Sequence, residues 1–167
     1  MQYAKIWAKT LASDEKVQIE FSIGDRYQKF RTISWGIISL LLFFFGIYAA
    51  FLKGASPGVA VFLAFPCLSV FLIAKFYFGY YLKVANAYAF TNKRVLIHRG
   101  WLSTHTISVD YAKITDVHIT EPIFERFITH TGNIAIITAG STSDQIVLLH
   151  VKAPYEIKKQ LDSLKDK

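Results

Sequence analysis

Apolar positions along the chain follow three spacings, and each predicts a different kind of element. Between Ile33 and Leu52 the residues ISWGIISLLLFFFGIYAAFL carry no charge. A helix of that length extends about 30 Å, the thickness of a bilayer's hydrocarbon core. A second run, Val59–Phe78, is interrupted only by Lys75 near its end. The connection Lys53-Gly-Ala-Ser-Pro-Gly58 is turn-like. In it Gly54 suits a helix C-terminus, Ser56 an N-cap and Pro57 a first helical position. The two runs predict a transmembrane hairpin with spans at about 33–52 and 59–78.

The flanks follow other periods. Val17, Ile19, Phe21 and Ile23 alternate with Gln18, Glu20 and Ser22, the pattern of a half-buried strand. A lone strand is unstable, so this one needs a partner, and only the C-terminal half offers one. Tyr3, Ile6, Trp7 and Leu11 share one helical face with Lys5 and Lys9 off it. They predict a short amphipathic helix, either lying in the membrane interface or packed on the folded domain. Beyond Lys83 strands are expected at about 85–91, 94–100, 103–110, 114–120, 132–139 and 145–151. Turns fall at Thr91-Asn92-Lys93 and Gly100-Trp101-Leu102-Ser103, and a polar loop at 138–144. A helix follows at about 154–164, with Pro154 in its first turn and a stripe of Ile157, Leu161 and Leu164. The fold class expected is a two-helix transmembrane hairpin plus a mainly-β barrel plugged by a C-terminal α-helix. It divides into an N-terminal segment (1–32), the hairpin (33–82) and the barrel domain (83–167).

Composition sharpens this picture. Hydrophobic residues make up 53% of the 167 positions, with 14 Phe and 9 Tyr, and no carboxylate falls between Ile33 and Leu82. The net charge of +7 is spread through flanks that also hold acids. That argues against nucleic acid as a partner and suits an anionic inner leaflet. Lys5, Lys9, Lys16, Arg26, Lys29 and Arg31 precede the first span, whereas the connection carries only Lys53. The positive-inside rule then places both termini in the cytoplasm, with the chain multi-pass in the inner or plasma membrane. The single cysteine, Cys67, allows neither a disulfide nor a thiolate cluster within one chain. The first apolar run starts some 30 residues in and is too long for the core of a cleavable signal.

In the C-terminal half, Tyr88-x-Phe90-Thr91-Asn92-Lys93-Arg94-Val95-Leu96-Ile97-x-Arg99-Gly100-Trp101-Leu102 resembles the opening of the bacterial pleckstrin-homology (PH) family, the YdbS-like, membrane-flanked domain. The resemblance continues through Ile107-x-Val109-Asp110, Ile114-x-Asp116-Val117, Ile123-Phe124-x-Arg126-Phe127, Gly132-Asn133-Ile134, Thr138-Ala139-Gly140 and Val151-x-x-Pro154, roughly residues 85–162. It implies a PH-like barrel with a C-terminal capping helix, commonly preceded by paired transmembrane helices. It implies no ligand.

Candidate chemistry is sparse. His98, His105, His118, His130 and His150 show no ligand spacing, although a two-residue turn at 101–102 would set His98 opposite His105. No nucleophile constellation or phosphate loop stands out, so neither catalysis nor a cofactor is expected. Lys83, Lys93, Arg94 and Arg99 flank the first hairpin and are candidates for contact with lipid headgroups or the membrane surface. Trp101 and Leu102 form a candidate anchor for a partner or the membrane. Lys75, by snorkelling, and Tyr77, Tyr80 and Tyr81 are candidate interfacial anchors. The function expected is a non-catalytic binding or assembly module at the inner face of the membrane, with the lipid bilayer and a protein partner or further copies of the chain as its contacts. The alternative is an accessory or regulatory subunit of a transport or pore complex.

Overall fold

A computed structural model describes residues 3–52, 54, 56–139 and 145–165. Lys53 and residues 140–144 of the expected polar loop lie outside them. In chain order the elements are α1 (Ala4–Trp7), β1 (Val17–Ser22), α2 (Asp25–Leu52), α3 (Pro57–Phe76), a π-helical turn (Tyr77–Tyr81) and α4 (Leu82–Ala85). There follow β2 (Asn86–Thr91), β3 (Arg94–Arg99), β4 (His105–Asp110), β5 (Ile114–Thr120), β6 (Thr131–Thr138), β7 (Ile146–Lys152) and α5 (Pro154–Lys165). They make two compact units, Met1–Tyr27 with Lys83–Lys167, and Gln28–Leu82.

The first unit is a β domain of two antiparallel sheets, ordered β1-β2-β3-β4 and β5-β6-β7. Tyr88, Phe90, Val95 and Ile97 meet Ile134, Ile136, Leu148 and Val151 in one core, and Leu161 of α5 is buried with them. The strand expected at 17–23 is present and pairs with β2, Phe21 opposite Tyr88 and Ile19 opposite Phe90. Phe21 sits 5.0 Å, ring to ring, from Phe90. The strict alternation breaks at one residue. Val17 pairs with Thr91 while Ile19 pairs with its neighbour Phe90, so Gln18 is an extra residue in the ladder. This bulge turns Val17 away from the barrel core and onto the outer face of the sheet. Past the strand, Ile23 bridges to Val151 and the Gly24 amide donates to the His150 carbonyl at 2.8 Å. β1 therefore stitches the two sheets together.

On the outer face, Trp7 and Tyr3 pack against Ala87, Ala89 and Leu96, and Trp7 is fully buried. Two alanines on β2 leave room for the indole. Of the two readings of the amphipathic segment, packing on the folded domain is the one the structure shows.

The second unit consists of two long apolar helices. α2 starts at Asp25, eight residues before the uncharged run. Asp25 is favourable beside the helix N-terminal dipole, and no breaker follows it. The second helix also continues past its expected end, through the π turn into α4. The helices meet where small residues allow it. The Ser39 hydroxyl donates to the Cys67 carbonyl at 2.6 Å, and a Cβ at Gly36 would lie 3.2 Å from the Phe71 ring. Pro66 inside α3 removes the amide that would bond the Phe62 carbonyl. Both Asp25–Leu52 and Phe65–Ala85 are long and apolar enough to cross a membrane, and only 6% and 11% of their most apolar stretches are buried.

Candidate functional site

The fold brings some of the expected surface residues to the two points where the chain leaves the β domain, and sends others to the opposite end. At the departure points, Lys83 Nζ pairs with Asp25 at 2.9 Å. The carboxylate raises the Lys83 pKa, against a smaller opposing effect of burial. The Ser22 hydroxyl lies 3.0 Å from the Lys83 carbonyl and 2.5 Å from that of Asn86. Start of α2 and end of α4 are thereby clamped side by side.

Lys93 and Arg94 lie at the far end of the β2–β3 hairpin, because Asn86 pairs with Arg99 and Phe90 with Val95. There each meets an acid from the N-terminal segment. Lys93 pairs with Asp14. Arg94 forks onto Glu15, Nε to Oε1 at 2.9 Å and the terminal nitrogen to Oε2 at 2.8 Å, and also donates to the Thr10 carbonyl at 3.1 Å. Glu15 further accepts from the Thr91 hydroxyl at 2.7 Å and the Ala12 amide at 3.2 Å. Hydrogen bonding from Arg94 outweighs burial and holds the Glu15 carboxyl at about 2. Arg99 donates to the Val147 carbonyl at 2.5 Å, bridging the sheets. The four cations are thus split between two ends of the domain, each with a partner inside it. They do not form one free basic surface.

The turn after β3 is longer than two residues, which corrects one expectation. His98 pairs with Thr106, and Arg99 with His105, so the two histidines are not opposite each other. His98 is buried beside Trp7, their ring centroids 6.4 Å apart, and burial lowers its pKa. Gly100, at φ 93°, starts the turn. A Cβ there would fall 1.9 Å from the Ser103 carbonyl oxygen, so only glycine fits. The Gly100 amide donates to the Ala85 carbonyl at 2.7 Å, which fastens this turn to α4. Trp101 and Leu102 project from its tip, Leu102 with 90% of its surface exposed. Beside them a groove of about 290 Å³ is lined by Ile6, Lys9, Val84, His98, Trp101 and Thr106 among others.

In the helical unit, Lys75, Tyr77 and Tyr80 are exposed and Tyr81 half-buried. The π turn stacks Tyr77 on Tyr81 at 5.3 Å, and the Arg31 guanidinium lies 5.0 Å over the Phe78 ring. Rings and cations thus occur together along this stretch of the helical unit.

Between β5 and β6, Ile123, Phe124, Phe127 and Ile128 are exposed on a short helical segment. Their spacing of i, i+1, i+4 and i+5 defines one helical face and is visible in the sequence once the segment is known to be helical. Beneath them Glu125 bonds His150 Nδ1 at 2.9 Å, and Thr129 is buried.

Comparison with known proteins agrees with this architecture. No curated protein matches the chain. Among solved structures it is similar to a pleckstrin homology domain from Shewanella amazonensis SB2B, with 10% identity and a TM-score of 0.50 over 99% of this chain and 97% of that one. It is also similar to a DUF1696 family protein with a pleckstrin-homology domain from Shewanella loihica PV-4, with 11% identity and a TM-score of 0.49 over 98% and 94%. The family model for the bacterial PH domain matches residues 36–165, from within the first apolar helix to the end of α5. A match over that much of the sequence, on a two-sheet domain closed by a C-terminal helix, means that the chain belongs to the bacterial PH domain family.

Proposed function

We propose that α2 and α3 cross the bilayer as a hairpin and hold the PH domain at the cytoplasmic face of the membrane. There it serves as a non-catalytic binding and assembly module for a protein partner or for further copies of the chain. The observation that carries the reading is the exposure of large apolar side chains along both helices. Phe45 is 70% exposed, Phe51 81%, Phe62 76% and Phe65 70%. A soluble protein buries such helices, whereas lipid is the solvent they suit. A pore or transport role is less well supported. Residues 33–78 hold no Asp, Glu, Asn, Gln or His, and the Ser39 hydroxyl is spent on the helix crossing.

Impermeant thiol labelling of intact cells tests the topology. In a Cys67→Ala background, a Ser56→Cys variant should react from outside, and a Ser163→Cys variant only after the membrane is opened. Labelling of Ser163→Cys from outside would reverse the orientation, and extraction of the unlabelled chain by alkaline carbonate would remove the span reading altogether.

A further inference from the structure

We infer that the β5–β6 segment is a second membrane contact, one that inserts Ile123, Phe124, Phe127 and Ile128 into the lipid interface. This rests on the reading of α2 and α3 as spans. Phe124 is 75% exposed, Ile123 and Phe127 72% each, a concentration of bare apolar surface unusual for so short a polar-flanked connection.

The segment is held firmly, so its apolar face is a built feature. Glu125 points inward to His150, the Thr129 and Thr131 hydroxyls meet at 2.7 Å, and Thr129 also caps the Glu125 carbonyl at 3.0 Å. His130 ends the segment in the left-handed region, at φ 52°. With Glu125 and Thr129 turned to the domain, Ile123, Phe124, Phe127 and Ile128 face outward, and Arg126 is exposed among them.

The same contacts locate the ridge. His150, which holds Glu125, stacks on Tyr27 with ring centroids 3.8 Å apart and planes within 13°. Tyr27 lies in the first turn of α2, and along that helix it precedes Ile33, the start of the uncharged run, by only about 9 Å. One stacked ring and one hydrogen bond thus join the ridge to the last residue of the β domain before the chain leaves it for the helical unit. Headgroup layers occupy the outer several ångströms on each side of a bilayer, and the ridge belongs to the same unit that carries the first turn of that helix. Composition fits too. The Arg126 guanidinium lies 5.8 Å from the Phe127 ring centre, an apolar body beside a cation that can stay with the phosphates.

Area separates lipid from a protein partner. At 150–250 Å² for a fully buried aromatic side chain, four partly exposed side chains offer roughly 500 Å². A stable protein interface buries about 800 Å² per partner. The ridge is small for such an interface and adequate for a shallow anchor.

The test uses the full chain in vesicles of phosphatidylethanolamine and phosphatidylglycerol containing acyl-chain nitroxide lipid. Bimane is placed on single cysteines in the Cys67→Ala background at Phe127, at Leu41 in α2, and at Asp162, exposed on α5. The expected result is loss of fluorescence at Leu41 and Phe127 but not at Asp162. Loss at Leu41 with Phe127 bright and open to aqueous iodide would overturn the second contact alone. Phe127 shielded from both quenchers would overturn it in favour of a protein surface. A bright label at Leu41 would remove the span reading and the ridge proposal together.

Discussion

Arg94 shows how much the role of one residue depends on a partner remote in sequence. Placed by a hairpin turn and flanked by Lys93, it has the local character of a free cation for phosphate. In the fold, Glu15, whose side chain is 1% exposed, occupies both arms of its fork. Glu15 is buried because α1 is drawn down by Trp7, and nothing near either residue in sequence announces the pair. The Glu15 carboxyl, lowered from 4.5 to about 2, contributes stability that is complete above about 4.5 and lost as pH falls towards about 2. The shift corresponds to roughly 3 kcal/mol. Glu15→Gln should therefore lower the melting temperature of the detergent-solubilised chain at pH 7, and the difference from the parent should shrink as pH falls through that window. Arg94→Lys should cost on the order of 1 kcal/mol or more in the same measurement, because an ammonium replaces a two-pronged fork with a point charge.

At the scale of elements, β1 was legible and its bulge was not. Period-two apolar residues identify a strand, but an inserted ladder residue is visible only against the partner strand. The bulge sends Val17 to the Trp7 cluster and leaves Ile19 and Phe21 to the barrel. Phe21→Ala should destabilise the β domain by about 2 kcal/mol in chemical denaturation, the value of a mostly buried phenyl ring. Gln18→Lys, at the exposed bulge position, should change little. Trp7→Ala should cost about 3 kcal/mol or more, since the indole is wholly enclosed. In the hairpin, Gly36→Leu should force the helices apart at Phe71, lowering the yield of an inter-helix crosslink engineered next to the Ser39–Cys67 contact. An unchanged yield would show that the crossing tolerates bulk there.

For the whole molecule, the β domain is encoded in two pieces, Met1–Tyr27 and Lys83–Lys167, with the apolar hairpin inserted between them. The family match begins at residue 36 and so omits β1, which covers one edge of β2 and part of the core. Residues 83–167 alone should lack a cooperative thermal transition. Residues 3–27 joined by a short glycine-serine linker to 83–167 should recover one, because Asp25 and Lys83 are already in contact. A cooperative transition in the shorter chain would make β1 dispensable. Spans of apolar residues, the strand and helix periods and the PH-family motifs were all readable without coordinates, because each is a local pattern that the backbone's own geometry translates into structure. Only the tertiary structure could decide which acid occupies which cation, that α1 packs on the sheet, that His98 faces Thr106 instead of His105, and that a helical segment after β5 bares four apolar side chains. Those outcomes depend on pairing register and on contacts between residues far apart in sequence, where burial, and no local pattern, selects the partner.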